Sequence, residues 1–388
     1  MTDNRKAVWG WVLYDWANSA FATTVMAGFF PVVFKQYWSQ GTDINISTAR
    51  LGFGNSAACL VVTIMAPVLG AIADKAYARK KFLIFFAYLG VAMTAALFLV
   101  PNGQWIPAIV IYVLGIIGFS GANVFYDALL PSVANQTNID WISSLGFSFG
   151  YLGGGLLFLI NVLIATMPET FGFSDTSFAV KFFFLMVAAW WGGFSVFMIL
   201  WVPEDRSSIR GVNKGKLIAE GFRQFVKTLK KIRRLKTAFL FLIAYWFYID
   251  GVGTIIKMAV DYGLSLGFSP MGLIVALLIV QFVGFPAAIG FSQLSRWIGV
   301  RSAIFLGISV YLMVTLSATQ MTHQNEFYIL AVAIGLVQGG IQALSRSYFF
   351  RLIPLKQAGE FYGFYNMIGK LAAILGPTLI GLAGLFAR

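Results

Sequence analysis

Between Arg50 and Asp74 the chain reads Leu51-Gly-Phe-Gly-Asn-Ser-Ala-Ala-Cys-Leu60-Val-Val-Thr-Ile-Met-Ala-Pro-Val-Leu-Gly70-Ala-Ile-Ala73, without a charged side chain. It then turns to Asp74-Lys75-Ala-Tyr-Ala-Arg79-Lys80-Lys81 before a second apolar run from Phe82 to Val100. A helix rises about 1.5 Å per residue, so about 20 apolar residues cross the roughly 30 Å hydrocarbon layer of a bilayer. Two such runs joined by a short basic turn read as a transmembrane helical hairpin, because backbone polar groups in lipid must be satisfied within the helix itself.

The same pattern extends over the whole chain. Of its 388 residues, 59% are hydrophobic and 11% charged, against about 25% charged in soluble domains. A single soluble core stops growing near roughly 250–300 residues, so this much apolar surface has to face lipid. The net charge of +13 is distributed over loops between apolar runs, which argues against a folded basic face for nucleic acid. The single cysteine, Cys59, lies inside an apolar run, and His323 is the single histidine. No metal, cofactor or internal disulfide is therefore expected.

Eleven apolar runs of helical length fall near 9–35, 49–73, 82–101, 105–129, 142–166, 180–202, 238–259, 270–291, 302–320, 327–346 and 360–386. With the N-terminus placed in the cytoplasm, 22 of the 28 basic residues fall on inner segments, and the outer loops 37–48, 102–104, 167–179 and 321–326 carry none. The positive-inside rule selects that orientation. The longest polar stretch, 204–237, carries an apolar stripe at Ile218, Phe222, Phe225, Val226, Leu229 and Ile232 among lysines and arginines. It reads as an amphipathic linker lying along an anionic inner leaflet, with a regulatory role as the alternative.

Three stretches recur in order. Leu13-Tyr14-Asp15 resembles Tyr248-Ile249-Asp250 at an offset of 235, and Gly70 to Lys75 with Arg79 resembles Gly290 to Arg296 with Arg301 at 221. Leu129-Leu130-Pro131 with Asp140-Trp141 resembles Leu352-Ile353-Pro354 with Glu360-Phe361 at 223. Helices one, two, four and five are thereby paired with seven, eight, ten and eleven in the same orientation, a parallel duplication. The expected fold is all-α, the major facilitator fold of two pseudo-symmetric six-helix bundles. Its parts are an N-terminal bundle at 1–203, a basic linker at 204–237 and a C-terminal bundle at 238–388 with five helices, the twelfth having no counterpart in the chain.

The segment Gly70-Ala-Ile-Ala-Asp74-Lys75-Ala-Tyr77-Ala-Arg79-Lys80 resembles the loop signature between the second and third helices of the major facilitator superfamily, with Tyr77 in place of its second glycine. Gly10-Trp-Val-Leu-Tyr-Asp-Trp-Ala-Asn-Ser-Ala-Phe21, Phe125-Tyr-Asp-Ala-Leu-Leu-Pro131, and Gly339 to Arg346 with Glu360 to Phe364 are similar to the autophagy-related vacuole effluxer family and its bacterial relatives. The resemblance implies the fold and, from the vacuolar members, export of amino acids. The short polar loops resemble the bacterial branch, which implies a bacterial cell membrane.

Asp74 and Arg79, with Gly70, Lys75, Lys80, Asp127 and Arg346, are expected to form a cytoplasmic gate. Asp74 can accept from the start of a facing helix, and Asp127 can pair with Arg79 or Arg346. Ionisable groups at membrane depth cost several kcal/mol unless paired or wet, so Asp15, Asp250, Lys257 and Lys370 are candidates for substrate binding or coupling. Repeat-related Asp15 and Asp250 would face one another across a cavity and relay protons or clamp a cation. The bland alternative makes Asp15 an interfacial cap and Lys370 a structural ion pair. Asn18, Ser19, Asn123, Tyr126, Gln338 and Gln342 either line that cavity or hydrogen-bond neighbouring helices. Gly146, Gly150 and Gly154 form a small-residue row on the fifth helix, expected to pack on the other half.

The composition leaves little for an enzyme, since no convergent nucleophile, acid–base pair or metal set is present. The reading is a monomeric secondary transporter moving a small polar solute by alternating access, most simply an amino acid, with protons as the candidate coupling ion. A transporter of sugars or drug-like cations, or a non-transporting receptor or scaffold, is the alternative.

Overall fold

The computed structural model describes residues 5–173, 176–204, 223, 227–228 and 230–386, with the backbone alone at 44–45, 176–177, 257, 261 and 373–386. The first helix, α1, spans Arg5–Trp38. It is followed by α2 Ile44–Lys75, α3 Arg79–Ala96, α4 Trp105–Ala128, α5 Ile139–Thr166 and α6 Thr176–Trp201. The second half contains α7 Lys236–Ser265, α8 Pro270–Ile298, α9 Val300–Ala318, α10 Gln324–Leu352 and α11 Ala358–Phe386. Among the described residues, ten of these are long and apolar enough to cross a membrane, and α11 is a further helix of 29 residues.

Every helix falls on an expected apolar run, but most overshoot it. Helix α8 continues to Ile298 and α10 to Leu352, each with a basic residue, Arg296 or Arg351, in its last turn. Hydropathy locates only the part of a helix in hydrocarbon. The backbone ladder continues into the polar zone, where a cation at a helix C-terminus is favoured by the dipole.

Helix α1 departs from a regular α-helix. Residues Phe21–Phe29 and Phe34–Trp38 are π-helical, with Pro31, which has no N–H to donate, between them. Its large side chains are nevertheless sequestered: Trp11, Tyr14, Phe21, Phe30 and Trp38 are fully buried, and Phe30 stacks on Tyr112 of α4 with ring centroids 3.6 Å apart.

The two halves meet along two seams, α2 against α11 and α5 against α8 and α10. The sequence offsets relate α2 to α8 and α5 to α11, so the repeat exchanges the two main seams. The glycine row of α5 is a correction to the sequence reading. Gly146 faces Trp11 and Tyr126, Gly150 faces Asp15 and Ser19, and Gly154 faces Ser19 and Thr23, all in the same half. Small residues signal a close neighbour without saying which, and here the bulky α1 takes the groove while the other face of α5 meets the second half. Of the linker stripe, Ile218, Phe222, Phe225, Val226 and Leu229 lie outside the described residues; Ile232 is buried in an apolar cluster that includes Phe349, Phe361 and Tyr365.

Candidate functional site

Arg5, Arg79, Arg301 and Arg351 all lie at one end of the bundle, called here the basic end. There the seams are closed by three polar bridges between the halves.

The first bridge is built on a close backbone approach. Gly70 of α2 lies so near the carbonyl of Gly359 that no side chain fits between them. This brings Asp74, four residues on, to the start of α11. Its carboxylate accepts from the main-chain N–H of Gly359 at 3.0 Å and of Glu360 at 2.8 Å. A helix start has unsatisfied N–H groups and a positive dipole end, so a carboxylate from the opposite half caps it. Arg79 donates to Asp74 at 2.5 Å and to the carbonyl of Lys356 at 3.1 Å, adding a second tie across the seam. Tyr77, in the place of the signature's second glycine, adopts the left-handed conformation with φ 47°, and so preserves the turn at the expense of local strain.

The second bridge is buried. Arg346 of α10 is 3% exposed and donates to Asp127 at 3.1 Å, to the Ser143 hydroxyl at 3.0 Å and to the Ser143 carbonyl at 2.9 Å. Its guanidinium carbon lies 4.4 Å from the Phe147 ring centroid and 4.7 Å from that of Trp11. The other oxygen of Asp127 accepts from Asn366 of α11 at 2.9 Å. The buried charge thus has a counter-charge, directional donors and aromatic faces around it, the conditions under which such a group is tolerated.

The third bridge joins Arg351 to Asp140 through two parallel bonds of 2.9 and 2.7 Å, and Ser347 adds a donor at 2.6 Å. Further along the bundle, Ser148 donates to the carbonyl of Phe285 at 2.7 Å and Gln281 to the hydroxyl of Thr23 at 2.6 Å. Tyr151 of α5 packs on Gly284 and Gly339 of the other half. The halves are therefore sealed from the basic end to the middle of the bundle.

The expected gate residues divide. Gly70, Asp74, Arg79, Asp127 and Arg346 join in the bridges, with Asp127 pairing with Arg346. Lys80 instead donates to the carbonyl of Val202 at 2.6 Å, tying α3 to α6 within one half, and Lys75 is exposed. Of the cavity candidates, Asn18 donates to Asn123 at 2.6 Å and is 1% exposed, which is interhelical bonding. Asp15 accepts from Tyr126 at 3.2 Å. Tyr126 in turn stacks on Trp11 at 4.2 Å, and Arg346 lies 5.3 Å from its ring centroid. Asp15 therefore sits one side chain from the buried bridge. Ser19 lies against Gly150, and Gln338 is half-buried on α10. Gln342, Asp250 and Lys370 are half-buried on α10, α7 and α11, while the Lys257 side chain lies outside the described residues.

Ser143, Asp140, Arg351, Ser347, Asn366, Thr23, Gln281 and Tyr151 escaped the sequence reading. Asp140 at a helix start and Arg351 at a helix end look like ordinary terminal charges; only their placement on facing elements makes them a bridge.

The sequence matches the family described as vacuole effluxer Atg22 like over residues 3–383. The chain belongs to that family. Among its relatives, the MFS-type transporter YxiO of Bacillus subtilis is 40% identical over 375 residues, covering 96% of this chain and 87% of YxiO. Autophagy-related protein 22 of Kluyveromyces lactis is 22% identical, covering 97% of this chain and 87% of that protein. The human organic anion transporter MFSD10 shares the fold with a TM-score of 0.71 at 14% identity, covering 98% of this chain and 93% of that one. A bacterial homologue of the iron transporter ferroportin in an outward-facing state superposes with a TM-score of 0.65 at 13% identity, covering 98% of this chain and 92% of that one. The Atg22-like chain is accordingly an integral membrane transporter of the major facilitator superfamily and not an enzyme.

Proposed function

We propose that this transporter moves a small amino acid by alternating access, as an exporter or in exchange with protons, acting as a monomer in a bacterial cell membrane with its basic end in the cytoplasm. The observation that carries the reading is the closure of the basic end by bridges that are all non-covalent and all run between the halves. Such bridges can be broken together by a rigid rocking of one half, and the structure then corresponds to the state closed to the cytoplasm. The effluxer description of the family supports outward movement, and the basic loops support the orientation.

Asp15, Asp250 and Lys370 are assigned to coupling and binding, because half-buried charges at membrane depth need water or a partner to be stable. Counterflow of labelled amino acids in proteoliposomes tests the function. Saturable exchange with at least one small neutral amino acid is the expected result, and flux equal to empty liposomes for the whole set would remove the amino-acid reading. The Asp250→Asn protein should exchange substrate down its own gradient and fail to accumulate it under an imposed pH gradient. Labelling of Glu169→Cys and Gln136→Cys from opposite sides of intact cells checks the orientation.

A further inference from the structure

The segment that leads into α7 is docked on the gate itself. Thr228, fully buried, donates to the carboxylate of Glu360, and Lys231 donates to the side-chain oxygen of Gln357. The Lys231 ammonium also lies 6.0 Å from the Phe361 ring centroid, and Ile232 is buried in the same apolar cluster as Phe361. Gln357 immediately precedes α11, the position from which a side chain reaches the first N–H groups of a helix, and Glu360 is its third residue. Lys231 therefore occupies the Gln357 oxygen that could reach the first N–H groups of α11, Thr228 anchors the segment beside it, and the Gly359 and Glu360 N–H groups are left to Asp74 across the seam. Around it Arg223, Lys227, Lys230, Arg233, Arg234 and Lys236 are exposed.

We propose that this segment is a lipid-responsive clasp: it holds the basic end shut by denying α11 its own cap, and anionic lipid headgroups release it by drawing Lys231 from Gln357. A phosphate attracts an ammonium more strongly than a neutral amide does, and clustered exposed cations concentrate anionic headgroups at a membrane surface. Once Gln357 is released, its side chain caps α11, Asp74 is no longer needed, and opening becomes easier. The clasp rests on the two-state reading given above.

The test uses the full chain in nanodiscs, with Cys59→Ser and a spin-label pair at Gln136→Cys and Trp297→Cys, exposed sites in opposite halves near the basic end. Replacing a third of the phosphatidylcholine by phosphatidylglycerol should raise the population of the wider separation about fivefold, the size of one helix cap. Lys231→Gln should be equally open in both lipids, Lys231→Arg should restore the lipid response, and Thr228→Val should widen the separation without anionic lipid. An unchanged lipid response in Lys231→Gln, or a Thr228→Val protein as closed as the parent, overturns the clasp. Asp74→Asn separates the two failures. If it opens the pair while the clasp variants do not, only the clasp is wrong; if one fixed separation persists in every protein and lipid, the two-state reading fails with it.

Discussion

Replacing Arg346 by methionine should open the basic end. In the closed arrangement Asp127, 8% exposed, takes its charge-assisted bond from Arg346, and its other oxygen is held by Asn366. Methionine keeps the bulk of the side chain among Trp11, Tyr126 and Phe147 but leaves that carboxylate buried without a counter-charge, and leaves the Ser143 carbonyl without the guanidinium donor. Removing one member of a buried pair costs about 3–5 kcal/mol. When the halves part, water reaches Asp127 and most of that penalty disappears, so most of the difference bears on the equilibrium between the two states. At about 1.4 kcal/mol per tenfold, the closed state should lose roughly a hundredfold to a few thousandfold in relative population. Alkylation rates at single cysteines introduced along the basic-end interface measure this directly. The double variant Arg346→Met with Asp127→Leu removes both charges and should close again to within about tenfold of the parent. If the single and double variants are equally open, packing of the arginine rather than the uncompensated carboxylate holds the seam, and the electrostatic reasoning is wrong.

Gly70→Ala places a methyl group against the Gly359 carbonyl, backbone facing backbone, so Asp74 should lose its hold on α11 and the open state should gain roughly 2–3 kcal/mol, read from the same alkylation rates. Tyr77 is half exposed at φ 47°; Tyr77→Gly should match or exceed the parent in thermal midpoint, whereas Tyr77→Ile should lower stability by about 1 kcal/mol because a β-branched residue resists that conformation. Asp140→Asn should open the basic end by only about 1 kcal/mol, less than Arg346→Met, since the Arg351 and Asp140 side chains are 28% and 17% exposed and water already screens the pair.

Much of this architecture was legible in the sequence because the bilayer imposes strong rules. Runs of lipid-facing length located every helix, and the glycine–aspartate–arginine spacing at 70–79 identified a seam before any contact was known. The dipole argument had Asp74 accepting from the start of a facing helix, but it could not say which helix, since backbone donors leave no trace in residue identity; α11 is the one that packing supplies. Asp127 could be narrowed to two arginines, and three-dimensional packing chose the buried one. For Asn18 and Asn123 the sequence left cavity lining and interhelical bonding open, because two polar residues at depth suit either, and packing brings the two side chains into one hydrogen bond. The π-helical turns of α1 were hidden because hydropathy is insensitive to hydrogen-bond register, and the docking of Thr228 was hidden because its partner, Glu360, is far away in sequence.

The repeat makes the distribution of charge across the seams unequal, and that inequality can be tested. By the offset of 221, Asp74 of α2 corresponds to Ser295 of α8, whose hydroxyl donates to the carbonyl of Ser292 within its own helix at 2.8 Å. The start of α11 thus receives a carboxylate from the other half, whereas the start of α5 carries its own, Asp140, and draws a cation from α10 instead. As a result the first half contributes Asp74, Asp127 and Asp140 to the bridges, with Arg79 beside the first. The second half contributes Arg346, Arg351 and the positive end of α11. Opening the basic end would separate these into a mainly negative and a mainly positive face. It also exposes like charges to one another on each face, a repulsion that salt screens once the gap is wet, while in the closed state the Asp127–Arg346 pair stays largely beyond its reach and the part-exposed Asp140–Arg351 pair is weakened. Raising potassium chloride from about 0.05 to 0.5 M should therefore increase the open population, by separation of the same spin-label pair, and should do so less in an Asp140→Asn, Arg351→Gln protein. A population that falls with salt would mean that attraction between the opened faces outweighs repulsion within them, and the charge separation described here would not be the barrier to opening.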